Sequence, residues 1–146
     1  MTAFRRSTST PWLSRRMGRS WLPRPAGWRC DGERWAPAVS DSPDRYFRAL
    51  APKPGEPATL YAGLGDGPPG TRGTVVVSTD NGRRWAVTGF PGAGSSVWSV
   101  ATDSREPGLV VAAAIKGEVF VSRDGGESWA RASRTFGEIR AVCSSS

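Results

Sequence analysis

The sequence predicts an all-β fold, and three observations predict it. Two octapeptides share the pattern S-x-D-x-G-x-x-W: Ser78-Thr79-Asp80-Asn81-Gly82-Arg83-Arg84-Trp85 and Ser122-Arg123-Asp124-Gly125-Gly126-Glu127-Ser128-Trp129. Their flanks repeat as well, Gly73–Val77 before the first and Gly117–Val121 before the second. Between the motifs lie short runs rich in Val, Trp, Phe and Thr, broken by Gly, Pro or Asp, the composition of strands and turns. No stretch holds a 3.6-residue apolar period over a useful length, and 18 Gly and 12 Pro punctuate the chain. Four short strands recurring every 44 to 50 residues (Ser78 to Ser122, Leu50 to Val100) are the signature of a propeller blade. The expectation is therefore a partial β-propeller: about two complete four-stranded blades, partial flanking blades and a disordered N-terminal leader.

The elements follow in order. Residues 1–27 form an Arg-rich leader carrying Arg5, Arg6, Arg15, Arg16, Arg19 and Arg24, with no acidic residue. Residues 28–44 read as a degraded blade remnant, where Gly32 and Trp35 keep the end of the motif while Trp28 and Cys30 replace its Ser and Asp. The first blade spans 45–92, with strands expected at Arg45–Ala51, Ala58–Leu64, Thr74–Ser78 and Arg84–Thr88. The second spans 96–134, with strands at Ser96–Thr102, Leu109–Ile115, Glu118–Ser122 and Ser128–Ala132. Leu109–Ile115 is continuously apolar, as a strand covered on both faces should be. A loop at Gly65–Arg72 makes the first unit longer than the second, which has only Ile115-Lys116 there. Residues 137–146 begin a third unit, Ile139-Arg140-Ala141-Val142-Cys143 matching Val97-Trp98-Ser99-Val100-Ala101. At 44–50 residues per blade the smallest propeller needs roughly 180 residues, so 146 are expected to be a fragment of a longer frame or to close a ring in trans.

Composition excludes several chemistries. There is no His, hence no Ser-His-Asp triad, no Cys-His dyad and no His-ligated metal. Two cysteines, Cys30 and Cys143, cannot build a four-cysteine zinc site, and their redox state is open. No cofactor and no metal site is expected. A calcium loop at Asp80-Asn81 or Asp124 fails because no acidic ligand series follows. The net charge of +7 suggests a nucleic-acid partner, but the excess sits in residues 1–30. From Asp31 onward 13 basic residues face 13 acidic ones, which argues against that partner for the body of the chain. No apolar run is long enough to span a membrane, and no apolar segment follows Arg5-Arg6 to make a signal peptide. The compartment stays open, with the cytoplasm as the default.

In the octapeptide Asp is expected to accept backbone N–H bonds and Gly to supply a positive φ. Ser is expected to return a hydroxyl bond and Trp to anchor the hairpin. Ser78, Asp80, Gly82, Trp85, Ser122, Asp124, Gly126 and Trp129 are thus candidate structural residues, and no catalytic residue is assigned. The octapeptide resembles the Asp-box, or BNR repeat, of sialidase-like β-propellers. The longer unit, over residues 45–143, resembles the repeats of photosystem II stability/assembly factor propellers, sortilin-type propellers and xyloglucanase-type glycoside hydrolases. The resemblance implies a non-catalytic repeat module with a protein or carbohydrate partner. The alternative it implies is a fragment of a sialidase-like or xyloglucanase-like hydrolase. A sialidase would imply an arginine triad and a Tyr nucleophile, for which Tyr46 and Tyr61 are the only tyrosines. Candidate ligand-facing residues are Arg48, Trp98 and Arg140, at equivalent places in successive units. A second alternative is weak nucleic-acid binding through the leader, where Trp12, Trp21 and Trp28 interleave with the arginines.

Overall fold

The computed structural model describes residues 27–30 and 33–144. Among them are ten strands and no helix: β1 Gly27–Cys30, β2 Trp35–Ser40, β3 Tyr46–Lys53, β4 Glu56–Gly65, β5 Gly73–Ser78, β6 Arg84–Val87, β7 Val97–Thr102, β8 Val110–Ala114, β9 Val119–Ser122 and β10 Ala130–Arg131. No helix there is long and apolar enough to cross a membrane. The expected leader lies outside the described residues, apart from Gly27.

Each repeat unit becomes an antiparallel meander, because its strands are joined by turns too short for anything else. The first runs β3-β4-β5-β6 and the second β7-β8-β9-β10. The middle strands are the most apolar and the best covered. Residues 61–65 of β4 and 112–114 of β8 are buried on both faces. In the second unit the outer strand is shorter than expected, Ala130–Arg131 instead of Ser128–Ala132. Its counterpart β6 pairs with β5 over the equivalent two residues, Ala86 and Val87, and is longer only because β2 pairs with Arg84 and Trp85 on its outer side.

Where the sequence places the blade remnant 28–44, β1 and β2 pair antiparallel on the outer edge of the first unit. There β2 runs parallel to β6: the Val39 amide donates to the Arg83 carbonyl at 2.9 Å and the Asp41 amide to the Trp85 carbonyl at 3.0 Å. The first sheet thereby reaches six strands. At the other end, residues 139–144 form no strand. Their bonds go to the second unit instead: the Ile139 amide to the Ile115 carbonyl, the Val142 amide to Ser99 Oγ and the Ser144 hydroxyl to Asp103.

The two sheets stack face to face, β7 lying against β3 and β4. One apolar cluster fills the space between them, with Ala51, Tyr61 and Val75 from the first sheet and Val97, Val100, Ala112 and Phe120 from the second. Gly63 makes the approach feasible, since a Cβ there would stand 2.6 Å from Val97 Cγ1. Polar bonds lock the register. Tyr61 Oη donates to the Gly125 carbonyl (3.0 Å), Thr102 Oγ1 to the Pro52 carbonyl (2.7 Å) and the Gly89 amide to the Gly126 carbonyl (2.9 Å). A second cluster, Ala38, Ala62, Leu64, Val76 and Trp85, covers the far face of the first sheet.

Candidate functional site

The two octapeptides fold into turns closed by the same three bonds, and the second adds the Ser128 hydroxyl on Asp124 Oδ2. In each, the amide of Gly82 or Gly126 donates to the Ser78 or Ser122 hydroxyl at 2.8 Å. That hydroxyl donates to Asp80 Oδ1 or Asp124 Oδ1 at 2.8 Å. The same carboxylate oxygen accepts the amide of Arg84 or Ser128 at 2.9 Å. Two consecutive residues take positive φ, Asn81 with Gly82 and Gly125 with Gly126. The Gly of the motif was legible in sequence; its left-handed neighbour was not, although Asn and Gly are the residues that tolerate that conformation. Hydrogen bonding holds both carboxyls below their ordinary value. The Arg84 amide leads for Asp80. For Asp124 the Ser128 hydroxyl and amide lead, and its pKa falls to about 2. Trp85 is buried edge-on against Phe47, centroids 5.5 Å apart. Trp129 is half-buried against Phe90 at 5.1 Å, its Nε1 donating to the Gly126 carbonyl.

A different constellation forms on the first strand of each unit. The ladder slips between Phe47 and Ala49 in β3 and between Val97 and Ser99 in β7. Arg48 and Trp98 therefore sit at equivalent β-bulges, a device that re-aims a side chain out of the pleat. The exposed Arg48 guanidinium lies over the half-buried Trp98 ring, 4.4 Å from its centroid. The Tyr46 ring is 6.3 Å from the same indole. The structure thus brings Arg48 and Trp98 together and adds Tyr46. Arg140 is exposed and pairs with Glu138. Tyr61 is only 1% exposed, its hydroxyl held by the Gly125 carbonyl and its pKa raised by burial, so it is not available as a nucleophile. Cys143 is an exposed free thiol; the side chain of Cys30 lies outside the described residues.

Next to Tyr46 an open cleft of about 380 Å³ is lined by Asp44, Arg45, Tyr46, Asp66, Gly67 and Arg72. Arg72 Nε donates to the buried Asp44 carboxylate at 2.6 Å, and the Asp44 amide is fixed by Ser42 Oγ. Asp66 accepts the Thr71 hydroxyl (2.6 Å) and the Thr71 amide (2.8 Å). Those bonds lower its pKa to about 2, leaving it ionised across the neutral range. Sequence reasoning marked this loop only as extra length. Its cue was an Asp ahead of a Gly-Pro-Pro-Gly-Thr turn, the setting in which Asp caps backbone amides. Among the described residues no three of His, Cys, Asp and Glu gather as a metal site.

No family model matches the chain. An uncharacterized protein of Bacillus subtilis strain 168, YkuO, is 36% identical over 80 residues, 51% of this chain and 25% of that protein. Two solved structures share the fold, a GH74 enzyme of Niastella koreensis and an ancestral GH74 enzyme. The first aligns at TM-score 0.55 and 19% identity, over 73% of this chain and 18% of the enzyme. The second aligns at TM-score 0.53 and 20% identity, over 71% of this chain and 14% of the enzyme. The fold is a partial β-propeller. The chain thus spans less than a fifth of the glycoside hydrolases it resembles in fold.

Proposed function

We propose that the chain is a non-catalytic BNR-like blade pair of a larger glycoside-hydrolase-type β-propeller, with a binding or scaffold role. The observation that carries this reading is the identity of the two turns. The same three bonds close both, so the Asp of each motif is engaged by its own loop rather than directed at a ligand. The Asp-box assignment rests on the motif and on this geometry. The surface best suited to a partner is the Arg48–Trp98–Tyr46 group, which offers an aromatic face and a cation side by side. Such a group suits a sugar ring or a polar protein loop.

The second reading is a fragment of a hydrolase, favoured by the two carboxylates in one cleft. Glycoside hydrolysis needs one carboxyl whose pKa is raised so that it can donate a proton. Asp66 is shifted the other way, and Asp44 is paired with Arg72.

The test has two arms. The full chain is offered a panel of fluorogenic glycosides and, separately, unlabelled oligosaccharides followed by tryptophan fluorescence. No turnover is expected. Any saturable binding should weaken about tenfold in Trp98→Ala, the scale of a lost aromatic contact. Turnover removed by Asp44→Asn or Asp66→Asn would reject the module reading in favour of the hydrolase.

A further inference from the structure

Internal repetition lets each face of one sheet be compared with its counterpart on the other. The second sheet rests on the first through Val97, Val100, Val110, Ala112, Ala114 and Phe120, none more than 8% exposed. Their counterparts in the first unit are Phe47, Leu50, Leu60, Ala62, Leu64 and Val76. The last three are buried, with Ala38 and Trp85 in the same cluster. The β3 side of that face is open. Leu50 is 61% exposed where Val100 is 8%, and Phe47 and Leu60 are half-buried where Val97 and Val110 are fully covered.

The opposite faces show the complementary difference. Toward the second sheet the first presents Ala51, Tyr61 and Val75, each at most 5% exposed. Their counterparts Ala101, Val111 and Val119 are half-buried. The chain therefore makes one sheet-on-sheet contact internally and carries the two halves of the same contact at its opposite ends. Two different surfaces that fit each other define a heterologous interface.

We propose that the Ala101–Val111–Val119 face receives the open β3 face around Leu50 of a second copy of this chain, head to tail, repeating the internal contact. This rests on the blade-pair reading above and takes the larger propeller to be built from copies of this pair. Residues 139–144 lie along that receiving end and make no strand pairing. Val142 is the sequence counterpart of Val100 and Leu50, so the segment fills the seat that an incoming β3 takes over. Displacing it breaks the bonds to Ile115, Ser99 and Asp103 and no sheet ladder.

The experiment is sedimentation velocity of the full chain over a concentration series. The wild type should rise from its 15.6 kDa monomer to a discrete series of multiples. Leu50→Glu should remain monomeric with unchanged far-UV circular dichroism, since Leu50 is exposed in the single chain. The variant keeps the receiving face, so mixed into wild type it should cap and shorten the series. A wild type that stays monomeric, or association unaltered by Leu50→Glu, overturns the proposal. Glycoside turnover with intact Leu50-dependent association would instead reject the module reading alone.

Discussion

A single hydroxyl organises each motif turn. Ser78 and Ser122 are 1% exposed, and each accepts a glycine amide while donating to the neighbouring carboxylate. Removing it leaves a buried amide without a partner, which costs about 1–3 kcal/mol. Ser78→Ala and Ser122→Ala should each lower stability by that amount in urea titrations, with comparable effects because the turns match. The carboxylates add a pH dependence. Asp124 falls from 3.8 to about 2 in the folded chain. A carboxyl whose pKa is depressed on folding stabilises above its unfolded value, and that contribution disappears as pH drops toward the folded one. Melting temperature should therefore decline between pH 4 and pH 2, and Asp124→Asn should flatten that limb while starting from a lower plateau at pH 7. The motif stands out in sequence because each residue type has one dominant use in a tight turn. The Arg48–Trp98 stack was only half readable, as equivalent positions in successive units. Its contact depends on two β-bulges, and nothing in a strand's residue pattern announces a one-residue slip.

At the scale of elements, strands were legible to within a residue or two wherever apolar runs met Gly, Pro or Asp. Misplacement occurred where a strand lacks an outer partner: β10 has no counterpart of β2 beside it, and residues 139–143, expected as a strand, bond to the second unit without forming one. The β1–β2 pair eluded the pattern for another reason, because its parallel pairing with β6 joins segments distant in sequence. Two elements carry tests. Gly63 in β4 has no room for a side chain opposite Val97, so Gly63→Ala should destabilise by about 1–3 kcal/mol through overpacking. The cost should shrink in the double variant with Val97→Ala, which a thermodynamic cycle would reveal. The loop after β4 is held by Asp66 on one side and by Ser96 on the other, whose amide and hydroxyl donate to the Pro69 and Gly67 carbonyls. Asp66→Ala should raise amide hydrogen exchange at Thr71 and Arg72, the two amides its carboxylate accepts, with little change in the strands.

For the whole molecule the question is whether two blades behave as one folding unit. Their shared cluster spans both sheets, and the hydrogen bonds that cross it run from strand to turn as well as strand to strand. A sheet that loses its neighbour exposes Val97, Val100 and Phe120 at once, and repeat units gain much of their stability from nearest-neighbour contacts of this kind. Circular dichroism and tryptophan fluorescence should therefore report one coincident transition, even though Trp85 and Trp129 belong to different units. Tyr61 is the sharpest probe of that coupling. It belongs to the first sheet, is buried against the second and bonds a carbonyl inside the second motif turn. Tyr61→Phe keeps the ring and deletes only the bond, leaving the Gly125 carbonyl to seek water. A loss of about 1–2 kcal/mol is expected for that one interaction. If the blades are coupled, both probes shift together. A variant in which the dichroism transition moves and the fluorescence transition does not would show two independent sheets, and would remove the basis for treating their interface as a unit that repeats.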